Sequence, residues 1–309
     1  MLVYADQNFL IRCADTSDGR DWVIPAHKSG MATLVLSPMH FYEIGTVRKD
    51  YFERTIQFVE DAEPSWILNR GDLLLQEFLC EWDRFWKCGD PSFEAAGDLA
   101  HVASAMYRKP RERFSGLTPR DFVEPFCDPA SNQELLDVFA MNLTAHDENR
   151  SRYKAGEMTP TILRQVERRY VATQLARVNE RGPYLQELHD RANDLLVSEP
   201  SFSKISIFVE NGAMKRLKAY NVETSLTAAR WQGEAKLKEN RQVDRDHAVV
   251  ALSYCDIFVT GDSELRKYCE QAREESTFPL AKVVNCDEWI EHLRTIRNAD
   301  IVTADVLKN

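Results

Sequence analysis

The sequence predicts an α/β protein in which a parallel sheet is covered on both faces by helices and interrupted by an all-α insertion. Three observations predict it. Short apolar runs without polar alternation are each followed by a helical pattern, which is how strands buried on both faces read. This pairing occurs at both ends of the chain. Between the ends, apolar residues recur at three and four spacing and strand signals are nearly absent.

Taken in order, Leu2 to Ala5 is an apolar run stopped by Asp6, and a helical stretch follows around Phe9, Leu10 and Cys13. Thr33 to Leu36 repeats the design: Ser37 and Pro38 end the strand, and a helix carries Met39, Phe41, Ile44 and Val47. Helices are then expected over Leu73 to Trp86, Gln133 to Leu143, Ile162 to Val178, Tyr184 to Val197 and Ile205 to Tyr220. Gly89-Asp90-Pro91, Gly156, Thr159-Pro160 and Gly182-Pro183 separate them. The first pattern resumes with a helix over Asp244 to Tyr254, a strand over Ile257 to Thr260 and a helix over Ser263 to Gln271. A strand over Ala281 to Val284 and a helix over Asp287 to Leu293 complete it. Two domains in series would leave the first with two strands and no sheet. Residues 1–63 and 236–309 are therefore read as one core, and 64–235 as a helical insertion in one crossover. Trp66, Trp82, Trp86, Trp231 and Trp289 mostly fall at helical apolar spacing and read as core anchors.

Composition bounds the function. With 309 residues, 44% hydrophobic and 28% charged, the chain reads as globular; it shows no membrane span and no signal peptide. A formal net charge of -10 disfavours a chain-wide phosphate-binding surface, so any nucleic-acid contact must come from a local patch. Seven scattered cysteines without a C-x-x-C pair disfavour a disulfide framework or a thiolate zinc site and suggest reduced thiols in a cytoplasm.

The carboxylates carry the chemistry. In an open parallel sheet, ligands bind beyond the carboxyl ends of the strands. Asp6 follows the first strand, Glu43 lies one turn into the helix after the second, and Asp262 comes just after the third. A helix leading into a parallel strand starts at that same edge, which brings Asp246 there in its first turn, with Asp244 as a further ligand or as the helix cap. Clustered like charges need a cation, and oxygen-only ligands suit Mg²⁺ or Mn²⁺. Such ions activate water against a phosphoryl group, so phosphodiester hydrolysis is the inference. Taken singly, Asp6 and Asp262 also read as N-caps, Asn8 as support for Asp6 or a helix-start residue, and Glu43 as a surface residue. Asp256 belongs to the opposite edge and is excluded; His247 reads as structural.

Tyr4-Ala5-Asp6-Gln7-Asn8, the isolated Glu43, Asp246-His247-Ala248-Val249-Val250-Ala251-Leu252 and Phe258-Val259-Thr260-Gly261-Asp262 resemble, in order, the motifs of PIN-domain nucleases. The resemblance implies a three-layer α/β/α PIN-like fold and Mg²⁺- or Mn²⁺-dependent RNA cleavage, as in toxin ribonucleases of toxin-antitoxin pairs. By it, Asp6, Glu43, Asp246 and Asp262 are the catalytic, metal-binding acids and Thr260 is the small polar residue near the last of them. It covers residues 1–63 and 236–309, and the compact toxins have no insertion of this size between the second and third motifs.

The expected activity is that of an endoribonuclease with a single-stranded or structured RNA substrate, no membrane partner, an antitoxin or other protein as a further partner, and room for an oligomer. The best basic candidate for RNA is Arg164, Arg168 and Arg169 on one long helix, followed by Arg177 and Arg181, with Lys215, Arg216 and Lys218 on another. The same side chains also fit a solvated face. Two rivals remain: an interaction module working through its helical insertion, and an aspartate-phosphate phosphotransferase, against which stands Asn8 where that chemistry wants a second Asp.

Overall fold

The computed structural model describes residues 1–87, 89–133, 136, 147–178, 185–232 and 240–306. Cys88, Arg181, the boundary at 235–236 and most of the helix expected over Gln133 to Leu143 lie outside them. Among the described residues no helix is long and apolar enough to cross a membrane. Cys13, Cys80, Cys127, Cys255, Cys269 and Cys286 are free thiols.

The sheet has six strands: β1 Leu2–Ala5, β2 Thr33–Leu36, β3 Ser65–Ile67, β4 Ala96–Gly97, β5 Ile257–Val259 and β6 Lys282–Val284. They lie in the order β4-β3-β2-β1-β5-β6. All neighbours are parallel except β3 and β4, so the sheet is mixed and mostly parallel. β1 is central, with Val3 beside Leu34 on one side and Ile257 on the other. The chain leaves β1 first toward β2 and β3 and returns on the far side at β5 and β6. That reversal makes the carboxyl end of β1 a switch point, where crossovers diverge and a crevice opens.

The helices that bear on the site are α1 Gln7–Asp15, α2 Ile24–Lys28, α3 Met39–Thr46, α4 Lys49–Ala62 and α5 Arg70–Lys87. After α6 Leu99–Tyr107 and α7 Pro119–Val123 come α8 Pro160–Val178, α9 Leu185–Val197 and α10 Glu199–Glu210. The last four are α11 Lys218–Gln232, α12 Asn240–Tyr254, α13 Ser263–Glu275 and α14 Cys286–Val306. The main core joins the strands to α1, α3, α4 and α12 through Tyr4, Phe9, Leu10, Leu36, Phe41, Ile56, Val249 and Phe258, all at most 1% exposed. Each such side chain contributes on the order of 1.5–3 kcal/mol. A second cluster, built on Phe78, Val171, Ala176, Ile205 and Phe208, packs α5 against α8 and α10.

Several expectations need correction. β3 and β4 lie within the stretch read as purely helical, so the sheet does not stop at residue 63. Ser65-Trp66-Ile67 lies between Pro64 and the apolar pattern of α5, into which its own apolar residues merge. The helix expected over Ile205 to Tyr220 is broken, because Asn211 ends α10 and Gly212 turns the chain at φ 73, a backbone that glycine tolerates. α11 then packs on the main core through Ala219, Val222 and Leu226 rather than on the second cluster alone. Trp66 and Trp289 are buried, but Trp86 is 37% exposed and anchors no core.

Candidate functional site

A cavity of about 380 Å³ opens at the carboxyl edge of β1 and β5, and Asp6, Glu43, Asp244, Asp262 and His247 line it together with Asn8. The four carboxylates arrive on four different segments. Asp6 ends β1 and caps α1: its Oδ1 accepts the Phe9 N–H at 3.0 Å. Its Oδ2 accepts the Thr260 hydroxyl at 2.6 Å and the Gly261 N–H at 3.2 Å. Thr260 in turn accepts the Asp262 N–H at 3.1 Å, tying the end of β5 to β1. Asp262 caps α13, with Oδ1 accepting the N–H groups of Glu264 and Leu265 at 2.7 and 2.9 Å. Capping and lining the cavity are therefore compatible roles for Asp6 and Asp262, since a cap uses only part of a carboxylate.

Glu43 is carried inward by α3, whose Phe41 and Ile44 are buried in the core. Its Oε2 accepts a bond from His247 Nε2 at 2.7 Å. On the far side of that ring, Nδ1 lies 2.5 Å from the Tyr4 hydroxyl, which is 2.6 Å from Ser37 Oγ. Gln7 fastens α3 from α1 by donating to the Glu43 carbonyl at 2.8 Å.

Asp246 is not brought to the cavity. α12 begins at Asn240, four residues earlier than expected, so neither Asp244 nor Asp246 sits at its start and Asp244 is no cap. Successive helical residues turn by about 100°, which separates the two aspartates by about 200°. Asp244 faces the cavity with His247, three residues on, while Asp246 accepts Arg70 Nη1 at 3.0 Å. Arg70 also donates to Glu223 on α11 at 2.9 Å. Asp246 thus serves an ion-pair cluster joining α5, α11 and α12, and Asp244 takes the place read for it. Asp256 is at the opposite edge, where its Oδ2 accepts the Leu2 N–H at 2.7 Å.

The electrostatics follow from burial and neighbours. Burial raises the Asp6 carboxyl. Burial also pushes Asp244 up to about 6; Asp262 and Glu43 add to this, while His247 and Arg230 oppose it. For Glu43, burial alone would raise the carboxyl, but the charge and hydrogen bond of His247 outweigh it and hold it low. His247 mirrors this: burial opposes its charge, and Glu43 raises it above the ordinary imidazole range. Beside it, His40 is held neutral, lowered to about 4 by burial and by His247. Its Nε2–H donates to the Ala5 carbonyl at 2.8 Å and its Nδ1 accepts the Ser37 N–H at 3.0 Å.

His40, Glu43 and His247 could hold a metal ion, because each offers one ligand atom and these atoms lie within 4.8 Å of one another. His247 and Gln7 are the site residues that the sequence reading missed. For His247 the signal was its i, i+3 spacing from Asp244, which places both on one helix face. The arginines of α8 are not gathered at the cavity. Arg168 donates to Glu210 at 2.7 Å and lies over Phe202, Arg169 donates to Asn193 at 3.3 Å, and Arg164 is exposed.

No family model, curated protein or solved structure matches this chain.

Proposed function

We propose that the chain is a metal-dependent phosphodiesterase of PIN-like architecture, an endoribonuclease using Mg²⁺ or Mn²⁺. The observation that carries this reading is that Asp6, Glu43, Asp244 and Asp262, from four separate segments, line one cavity at the sheet's switch point. Carboxylate oxygens suit a hard divalent ion, and the repulsion that Asp262 and Glu43 add to burial in pushing Asp244 up to about 6 is one that a cation would relieve. When bound, such an ion activates water and offsets charge on the phosphoryl group.

The chain's own residues orient and enclose. Thr260 and Gly261 hold Asp6 in one rotamer by donating to its Oδ2. The first turn of α13 holds Asp262 in the same way through its Oδ1. Both acids thereby keep a fixed direction, which a precise ligand geometry requires. Asn8, on the first turn of α1, is an amide able to donate to a phosphate oxygen in the cavity.

The test is cleavage of single-stranded RNA with Mn²⁺ or Mg²⁺ by the full chain. Asp262→Asn keeps the cap acceptor but removes the charge, and is expected to lose most activity while melting cooperatively. Wild-type cleavage by the folded variant would overturn the reading. A second reading, in which the helical region docks an RNA or protein partner such as an antitoxin, is favoured by the exposed Leu163 and Val166 on α8 and Ile207 on α10. It predicts binding that survives Asp262→Asn.

A further inference from the structure

We infer that His247, through Nε2, is a direct ligand of the divalent ion, and that this nitrogen makes the cavity select Mn²⁺ over Mg²⁺. The inference rests on the metal-centre reading above but goes beyond its four carboxylates.

Three observations support it. The first is a distance. Nε2 lies 2.7 Å from Glu43 Oε2. Two adjacent ligands at right angles on an ion with bonds of about 2.1 Å stand about 3.0 Å apart. The pair therefore needs to open by only about 0.3 Å to receive an ion in place of the proton it shares, and that proton leaves to solvent. The second is the anchoring of the ring. Metal-bound histidines ordinarily donate their other ring N–H to a fixed acceptor, which sets the tautomer. Here Nδ1 meets the Tyr4 hydroxyl at 2.5 Å, and that hydroxyl has Ser37 Oγ at 2.6 Å to receive its own proton. Tyr4 and Ser37 are buried on β1 and just after β2, so the ring is held from behind with Nε2 toward the cavity that His247 lines.

The third is elimination among the two neighbouring imidazoles. His40 has both nitrogens committed to main-chain groups, the Ala5 carbonyl and the Ser37 N–H. Binding an ion there would take a partner from a buried backbone group. His247 gives up only a bond that the ion itself replaces on both sides.

The selectivity follows from ligand chemistry. Mg²⁺ keeps to oxygen donors and octahedral water; Mn²⁺ favours oxygen too, but as a first-row transition ion it gains more than Mg²⁺ from one imidazole nitrogen, though less than Fe²⁺ or Zn²⁺ does. One nitrogen among carboxylates therefore shifts preference toward Mn²⁺ without excluding Mg²⁺.

Pulsed electron paramagnetic resonance of Mn²⁺ bound to the full chain decides the matter, because a directly bonded ¹⁴N modulates the Mn²⁺ echo. Wild type is expected to show that modulation. His247→Gln is expected to lose it, and to lose at least about tenfold in Mn²⁺ affinity by calorimetry, with a much smaller loss for Mg²⁺. His40→Gln is expected to keep it and serves as the deciding variant if His247→Gln does not fold. Bound Mn²⁺ without ¹⁴N modulation in wild type overturns the histidine ligand alone. Modulation that persists in a folded His247→Gln, or vanishes in a folded His40→Gln, overturns it equally. A chain that binds no Mn²⁺ at millimolar concentration overturns both this inference and the metal-centre reading.

Discussion

Asp244 and Asp246 stand two residues apart on α12 and do opposite work, which a pair of substitutions can separate. Asp246→Asn leaves Arg70 with half its countercharge in a partly buried cluster. It is expected to lower stability by about 1–3 kcal/mol in urea titration and to leave Mn²⁺ affinity unchanged. An unchanged urea midpoint with lost Mn²⁺ binding would return Asp246 to the site. Asp244 has a titration signature of its own. Its carboxyl is pushed up to about 6 in the folded chain by burial and its acidic neighbours, against about 4 for an unfolded aspartate. Between those values the folded state holds the extra proton, so this residue withdraws stability as pH rises from about 4 to about 6. In EDTA, Asp244→Asn should therefore gain on wild type across that window, on the order of 1–3 kcal/mol by pH 7. A difference flat from pH 4 to 7 would contradict it.

At the scale of elements, the cavity depends on how α3 is seated, because α3 carries Glu43. Gly45, on the same helix, faces the turn after α7: a Cβ there would stand 2.6 Å from Phe126 Cβ and 2.9 Å from the Val123 carbonyl. Gly45→Ala is expected to push α3 outward, costing about 1–3 kcal/mol of overpacking and weakening Mn²⁺ binding through Glu43. Thermal melts and a Mn²⁺ titration of the variant check both effects; a stable variant with native Mn²⁺ affinity would show that the helix accommodates the methyl in place. The strands β1, β2, β5 and β6 were legible because each is an apolar run bounded by polar or proline residues. β3 was not, because Ser65-Trp66-Ile67 runs within three residues into the apolar pattern of α5, and β4 was not, because Ala96-Gly97 offers no β-branched or aromatic residue. The start of α12 was misplaced because Asp244 looked like a cap, whereas the helix already runs from Asn240.

For the whole molecule, the acidic cavity predicts a linkage between metal and folding. An ion that binds only the native state stabilises it by mass action, about 2.7 kcal/mol at one hundred times its dissociation constant. Wild type is expected to melt higher with rising Mn²⁺, and Asp262→Asn much less so. A wild-type melting point indifferent to millimolar Mn²⁺ would count against the metal centre. The ion-pair cluster of Arg70, Glu223 and Asp246 adds to the folding side alone, since it ties α5 and α11 to α12 without lining the cavity.

The sequence by itself determined the α/β class and the carboxyl-edge positions of Asp6, Glu43 and Asp262. These follow from local order along the chain: a strand, its stop residue and the helix after it are contiguous, so their geometry is short-range. Only the tertiary structure decided that Asp244 rather than Asp246 meets them and that His247 pairs with Glu43 across 204 residues. It alone seated β3 and β4 in the sheet. The reason is rotational as much as topological: one residue on a helix shifts a side chain by about 100°, and which face turns inward is set by the buried surface of its neighbours.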